Sequence, residues 1–404
     1  MNTTNHFDFL VVGGGILGLS IADKLLVAHP TSKIAVLEKE PGLGYHGSGR
    51  NSGVLHSGIY YPEKSLKARL CARGAAMLRN FCEEEKLAID KIGKVILPTS
   101  AEDDSTLTLL MTRAKANGVE ASLVNEAELK TIEPLCRSAS GRAIHVPQCA
   151  VVNPIEVLTR LSEKLRERGV RINFDRTVVD ASIENGTVRC TNSETYSYGH
   201  MINSAGLHAD TIAQKFGIGR RYAIMPFKGL YYDWHSPLAA QLKKLIYPAP
   251  DLALPFLGVH FTKSVDGHVY LGPNALPAAG RENYHGISGI SASECLSLVG
   301  RNLGQYARNE QGFRRLVHSE LKRLSKHFFV KAARTLIPSV SSNELTRSKK
   351  VGIRAQLFDR TEQKLVMDFL VENGPRSTHV LNAVSPGFTC GPSFAEYLVA
   401  EFIH

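Results

Sequence analysis

Gly13, Gly15 and Gly18 stand in a G-x-G-x-x-G spacing, and Glu38 follows the last of them by 20 residues. This set can cradle a dinucleotide. The first glycine permits a tight turn, the second lets backbone amides approach a pyrophosphate, and the third lets a helix pack closely on a strand. Ile16 and Leu17 lie where such a helix opens, its unpaired N–H groups and positive dipole end facing phosphate. A carboxylate at Glu38 accepts hydrogen bonds from ribose hydroxyls and repels a 2′-phosphate, so FAD or NAD is favoured over NADP; Lys39 follows it directly.

The elements needed to position these residues are legible in order. An apolar run at residues 7–12 (FDFLVV) predicts a strand buried on both faces. A helix is expected over residues 19–28, ending at His29-Pro30, and a second strand over residues 33–37. After Glu38 comes GLGYHGSGRNSGVLHSGIYYP (42–62), where a nicotinamide-binding unit would continue with helix and strand. A long polar loop whose amides can wrap a diphosphate and the edge of a flexible cofactor suits FAD, with Arg50, Asn51, Ser52 and Gly53 as its contacts. Further on, residues 154–168 have helical periodicity up to Gly169, then VRINF and an irregular ββ segment that includes Val179, a further expected cofactor contact. The segment His200–Gly206 reads as a strand returning to the sheet, with Ala205 and Gly206 in a small-residue turn against the cofactor, and residues 207–216 restart a helix. Near the C-terminus, residues 379–383 predict a strand, Gly387, Phe388 and Thr389 lie in a turn, and residues 392–402 form a closing helix.

The cofactor domain is thus assembled from residues 1–85, 148–216 and 347–404, with 86–147 and 217–346 forming a substrate-binding domain. The expected fold class is α/β: a discontinuous Rossmann-like FAD-binding domain beside an α+β substrate domain with a mainly antiparallel sheet. That interleaving again points to FAD.

Composition bounds the remaining readings. A chain of 404 residues, 43% hydrophobic and 21% charged, has ample core for two domains. The 7 cysteines are scattered without C-x-x-C pairing, which fits reduced thiols better than a disulfide framework or zinc site, and no metal is expected. No apolar stretch reaches the roughly 18–20 residues of a membrane span, and the N-terminus lacks secretory-signal features. A cytoplasmic location follows as the expectation. The net charge of +10 permits attraction to anionic substrates, lipid or nucleic acid. Residues 301–334 carry Arg301, Arg308, Arg314, Arg315, Lys322, Arg323, Lys326, Lys331 and Arg334 interleaved with apolar residues. This is either a solvated helical face or a basic surface for peripheral contact with the inner face of a membrane, which would suit electron delivery to a quinone. No recognition motif accompanies the charge, so nucleic acid is not an expected partner.

With these pieces placed, the sequence resembles the D-amino-acid-oxidase-like FAD-dependent oxidoreductases, and among them the L-2-hydroxyglutarate dehydrogenase (oxidase) group. The segments that carry the resemblance are GSGRNSGVLHSGIYYPEKSLKARLC (47–71), GVHFTKSVDGHVYLGPNA (258–275), VGIRAQ (351–356), DFLVE (368–372) and LNAVSPGFTCGPSFAEYL (381–398). The resemblance implies FAD as hydride acceptor, a small carboxylate substrate of the 2-hydroxy-dicarboxylate type, and O2 or a membrane quinone as electron acceptor. It further implies that Arg354, in VGIRAQ, anchors the substrate carboxylate, a task suited to a guanidinium fork. The group's P-F-R-G-E-Y segment reads here Pro226-Phe227-Lys228-Gly229-Leu230-Tyr231, with lysine for arginine and leucine for the acid. A lysine is a point charge without the planar fork, and the departure keeps an amine or amino-acid oxidase on the same scaffold as the alternative. Oxidising a 2-hydroxy acid needs a base for the hydroxyl proton, usually histidine near neutral pH. His56 and His260 are the candidates, His260 favoured as base and His56 as a flavin-edge contact; each is alternatively a hydrogen-bonded core histidine. Lys228, Tyr231 and Tyr60 are candidates to complete the pocket, or else strand-packing residues.

Overall fold

A computed structural model describes residues 5–251 and 256–403, and the chain divides into two compact units. The first comprises residues 1–51, 154–226 and 354–404, the second residues 52–153 and 227–353. Residues 52–85 therefore group with the second unit. The chain crosses the boundary along two long strands, Tyr222–Trp234 and Leu345–Asp359, as well as after residues 51 and 153.

The first unit is built on an 8-stranded sheet. Strand His6–Val12 lies between Ile34–Leu37 on one side and Thr195–Asn203 on the other, parallel to both. Arg171–Asn173 extends the parallel set beyond Ile34–Leu37, and Ser377–Asn382 extends it beyond Thr195–Asn203. Val178–Ser182 and Thr187–Cys190 add antiparallel strands at one edge, and Leu370–Gly374 pairs antiparallel with Ser377–Asn382. Ile34–Leu37 and the Phe9–Val12 end of the first strand are apolar and buried on both faces, as parallel strands covered by helices must be. Ser377–Asn382 is buried although it carries Ser377, Thr378, His379 and Asn382. Helix Ile16–Ala28 buries Ile16, Leu19, Ile21, Leu25 and Leu26. It begins three residues earlier than the apolar periodicity suggested, because Gly15 already serves as its N-cap.

The closing helix corrects the sequence expectation further. It runs Gly387–Phe402, so Gly387, Phe388 and Thr389 form its first turn rather than a turn before it. Proline normally marks a helix start; here Pro392 lies inside the helix and removes the donor that the Phe388 carbonyl would otherwise receive.

The second unit contains a mainly antiparallel sheet. From the Tyr222–Trp234 strand its order runs Val269–Gly272, His260–Lys263, Leu245–Pro248, Lys94–Leu97, Arg142–Val146 and Ser122–Asn125, with only Leu245–Pro248 and Lys94–Leu97 parallel. One face is covered by Phe329, Val330 and Ala333 of helix Lys326–Arg334. The other packs against Leu107, Leu110 and Ala114 of helix Asp104–Ala116. A Rossmann-like parallel sheet and a mainly antiparallel second sheet thus make up the α/β fold. Among the described residues no helix is long and apolar enough to cross a membrane.

Candidate functional site

The first and third glycines of the opening turn take the tight-turn and close-packing geometry that their spacing implies. Gly13 has φ +109°, and a Cβ there would lie 2.6 Å from the Ser204 carbonyl oxygen. A Cβ on Gly18 would lie 1.9 Å from the Gly13 carbonyl oxygen, so helix and turn touch through bare backbone. Gly15 caps the helix in an extended conformation, and a Cβ on it would meet only the Ser48 hydroxyl, at 2.8 Å. That hydroxyl accepts the Ile16 N–H at 3.0 Å. Ser48 comes from the polar loop and was not singled out in the sequence, because a contact spanning 32 positions leaves no local signal. Leu17 follows, half-buried, and no acidic residue occupies the first turn of the helix.

Glu38 closes the turn from the neighbouring strand. Its carboxylate accepts the Gly14 N–H at 2.8 Å and the Glu40 N–H at 3.0 Å. Lys39 pairs with Glu40, which also takes His46 at 2.8 Å. Burial pushes the Glu40 carboxyl upward, but these two partners outweigh it and hold it below the usual range. Within the polar loop, Arg50 Nε donates to the Tyr45 carbonyl at 2.5 Å, and Asn51 Nδ2 to those of Gly47 and Ser48 at 3.2 and 2.7 Å. Arg50 and Asn51 thereby shape the turn that presents Ser48. Ser52 and Gly53 open the second unit, where Gly53 has φ +74° and its carbonyl accepts the Val152 N–H at 2.9 Å.

The other cofactor candidates of the first unit come from distant segments. The Ser204 hydroxyl donates to the carbonyls of Val12 and Gly13 at 3.0 and 3.2 Å, tying the returning strand to the glycine turn. Ala205 follows, its N–H held by Asn203 Oδ1 at 3.1 Å, and Gly206 takes φ +54° with open space where a Cβ would be. Val179 sits in a bulge of its strand, and its carbonyl accepts Lys215 Nζ at 2.6 Å. At the closing helix, a Cβ on Gly391 would stand 2.9 Å from Ile16 Cγ1 and 3.5 Å from the Ser20 hydroxyl. The two helices therefore touch through their N-terminal turns. The closing helix also has no acid in its first turn and no side-chain cap, and Gly387 has open space around it. Two helix starts without an acid in their first turns, beside a turn without side chains, fit the phosphates and polar edge of a flavin dinucleotide.

In the second unit His260 is buried, and its Nδ1 lies 2.9 Å from the Gly258 carbonyl oxygen. A carbonyl only accepts, so Nδ1 carries the proton and Nε2 is the basic nitrogen of the neutral ring. The imidazole stacks on Tyr247 at 4.1 Å with 23° between planes. Lys94 flanks Tyr247 from the next strand, its Nζ 5.1 Å from that ring and 4.5 Å from the Tyr60 ring. Lys94 is wholly buried, and among the described residues its Nζ has no hydrogen-bond partner. Burial holds the Tyr60 phenol well above its ordinary value, with Tyr247 and Cys149 adding to the effect. The readable signal for Lys94 was a lysine opening the apolar run KVIL.

His56 is half-buried on the loop before Tyr60, its carbonyl accepting the Cys71 thiol at 3.3 Å. Arg113 holds that loop through the Tyr60 carbonyl at 2.6 Å, and Asn117 through those of Gly58 and Tyr61 at 3.1 and 3.0 Å. Tyr231 packs edge-on to Tyr270 at 6.2 Å and flanks Gly272, whose missing Cβ would lie 3.4 Å from Tyr231 Cδ1. Gly272 is the cross-strand partner of His260, so the glycine stands between the imidazole on one neighbouring strand and the phenol on the other. Lys228 does not join them. Three residues from Tyr231 on one strand, it projects to the opposite side of the pleat. There its Nζ reaches Asn283 Oδ1 at 3.5 Å, and burial lowers its pKa. Arg354 lies half-buried in the first unit, on the strand Leu345–Asp359.

Comparison with known proteins agrees with this geometry. The profile of the DAO family, FAD dependent oxidoreductases, matches residues 8–401. The chain is 36% identical over 407 residues to an L-2-hydroxyglutarate dehydrogenase of Indibacter alkaliphilus, covering 98% of this chain and 100% of that one. It is 34% identical over 405 residues to the L-2-hydroxyglutarate dehydrogenase of Escherichia coli O17:K52:H18, covering 98% and 93%. Among solved structures, the fold is similar to dithionite-reduced L-alpha-glycerophosphate oxidase from Mycoplasma pneumoniae with FAD bound. The TM-score is 0.75 at 20% identity, over 99% of this chain and 96% of that one. The glycine turn and the full-length match lead to one assignment: the chain belongs to the DAO family of FAD-dependent oxidoreductases.

Proposed function

We propose that this oxidoreductase converts a small 2-hydroxy acid, L-2-hydroxyglutarate, to the 2-oxo acid. The observation that carries the reading is the fixed tautomer of His260, which turns a basic Nε2 away from the Gly258 carbonyl. Full-length likeness to proteins named L-2-hydroxyglutarate dehydrogenase supports the substrate. FAD, when bound, accepts the hydride from C2. His260 Nε2 takes the hydroxyl proton, with the Tyr247 stack fixing the ring plane. Arg354 anchors the carboxylate next to C2, Tyr231 completes the substrate pocket, and His56 contacts the flavin edge. Lys228, held by Asn283, supports that strand from its other side. Gly13, Gly15, Ile16, Leu17, Gly18, Glu38, Lys39, Arg50, Asn51, Ser52, Gly53, Val179, Ala205, Gly206, Gly387, Phe388 and Thr389 hold the cofactor, which makes the first unit the FAD-binding domain and the second the substrate-binding domain.

Anaerobic addition of L-2-hydroxyglutarate to the purified holoenzyme should bleach the flavin absorption and yield one equivalent of 2-oxoglutarate. Absence of bleaching with every 2-hydroxy acid tried, together with ammonia release from amino acids, selects the amino-acid oxidase reading instead. Reoxidation distinguishes the acceptors: O2 gives hydrogen peroxide, a quinone does not. Exposed Leu296, Val299 and Leu303 on helix Ala292–Arg308, beside the basic run that follows, support quinone delivery at a membrane face.

A further inference from the structure

Four residues before Arg354 in the sequence, Lys350 lies on the strand Leu345–Asp359, the sheet neighbour of Tyr222–Trp234. Its Nζ lies 4.5 Å from the Tyr270 ring centroid and 5.9 Å from that of Tyr231. Among the described residues, no carboxylate lies within ion-pair distance of it. The two acids nearest in charge are committed elsewhere. Asp233 Oδ1 holds His268 Nε2 at 3.0 Å, and Asp266 Oδ1 takes the Ser264 hydroxyl and the His268 N–H, the latter at 3.3 Å. Burial pushes the Lys350 ammonium down to about 8, against the upward pull of Asp266 and Asp233. Ring faces attract an ammonium but replace little of its hydration. The group is thus half-desolvated and lacks a counter-anion.

The position of the cage says which anion fits. Tyr231 and Tyr270 both lie beside Gly272: Tyr231 Cδ1 is 3.4 Å from the place of the missing Cβ, and Tyr270 stands two residues along the strand, about 7 Å away. His260 is the partner of Gly272 on the other neighbouring strand. In a five-carbon dicarboxylate the far carboxylate lies roughly 4–5 Å from C2, given bonds of about 1.5 Å. A hydroxyl on His260 therefore leaves the far end of such a chain on the Tyr231–Tyr270 side.

We propose that Lys350 is the specificity-determining residue of the substrate site, pairing with the far carboxylate of a dicarboxylic 2-hydroxy acid between the walls Tyr231 and Tyr270. This rests on the 2-hydroxy-acid reading above. A monocarboxylic analogue leaves the ammonium unpaired, so selectivity comes from the cost of an unsatisfied cation rather than from pocket volume. Tyr231, Tyr270, Asp233 and Asp266 are the titratable groups facing Lys350, and neither acid competes for it at hydrogen-bond range.

The test uses holoenzyme and glutarate, a dicarboxylate that cannot be oxidised at C2, with butyrate as the monocarboxylate. Calorimetric titration at pH 7 should show the glutarate-to-butyrate affinity ratio falling at least 30-fold in Lys350→Met and less than about fivefold in Lys350→Arg. In the wild type, glutarate affinity should decline as pH rises past 8, tending to tenfold per pH unit; Lys350→Arg should lack the decline because guanidinium does not titrate there. A ratio in Lys350→Met within threefold of wild type overturns the proposal. If that variant does not fold, a pH decline retained in Lys350→Arg overturns it equally. Enzyme inert toward every 2-hydroxy acid removes the proposed reaction, while the glutarate titration still decides the role of Lys350.

Discussion

Replacing Gly18 with alanine and Gly15 with alanine separates packing from cofactor cradle. In Gly18→Ala the new Cβ would lie 1.9 Å from the Gly13 carbonyl oxygen and 2.8 Å from the Ser204 hydroxyl, whereas ordinary contact begins at 3.4 Å. The partner at 1.9 Å is backbone and cannot rotate away. The helix must retreat by roughly 1.5 Å, opening gaps around Leu19, Ile21 and Leu25, which are fully buried. Overpacking of this kind costs about 3 kcal/mol. For a unit of this size that corresponds to a Tm lower by roughly 6–12 °C. The same retreat takes the helix amides out of hydrogen-bond range of a phosphate, and losing two charge-assisted bonds weakens FAD binding by at least about 100-fold. In Gly15→Ala the only close atom is the Ser48 hydroxyl at 2.8 Å, on a side chain that can turn. Apo-protein stability should then change by no more than about 1 kcal/mol while FAD affinity still falls, because the methyl stands where the pyrophosphate approaches. Thermal melts of apo and reconstituted protein, with flavin fluorescence titration, read both quantities. Gly18→Ala with a Tm within 2 °C of wild type, or Gly15→Ala binding FAD with unchanged Kd, refutes the reasoning.

His379 makes the acid side of the stability profile predictable. It is wholly buried, accepts from Asn203 Nδ2 through Nδ1 at 3.2 Å, and reaches the Ser377 hydroxyl through Nε2 at 3.0 Å. Burial, with His200 adding to it, lowers its pKa to about 4. Between the unfolded value near 6.5 and about 4 the unfolded chain binds the extra proton, so stability is lost as pH falls through that window, by about 3 kcal/mol in total. Urea unfolding at pH 7.5 and 4.5 measures the difference, and His379→Asn should shrink it; an equal difference in both proteins sinks the assignment. His260→Gln should retain flavin but slow anaerobic flavin reduction by 10²–10⁴-fold, as expected for a lost general base. Reduction at the wild-type rate would remove His260 from the chemistry.

How much of this was legible beforehand follows the range of the contacts involved. Gly13, Gly15, Gly18 and Glu38 fall within one strand–helix–strand run, so residue type and spacing alone revealed their geometry. The helix that begins at Gly387 was placed late because Pro392 reads locally as a start signal, whereas packing of Gly391 on Ile16 outweighs it. Ser48 was invisible as a helix partner, since its hydroxyl acts on a backbone group 32 residues earlier. The second unit was harder. Neighbouring strands Lys94–Leu97 and Leu245–Pro248 are about 150 residues apart in the chain, and only their register puts Lys94 beside Tyr247 and Tyr247 beside His260. Lys228 and Tyr231 looked like one pocket in sequence, yet an odd spacing on a pleated strand divides them.

The contact between the starts of the first and last helices sets an order of events during synthesis. The strand that follows residue 376 borders the returning strand, and the helix after it packs on Ile16 of the first helix. A ribosome that has released only the first two-thirds of the chain therefore holds a glycine turn that still lacks this helix. Under the proposed cofactor site, flavin binding awaits the helix and adds its free energy to the packing of the two helices. Depriving cells of flavin should consequently leave full-length apo-protein whose C-terminal helix is the first segment lost to proteases.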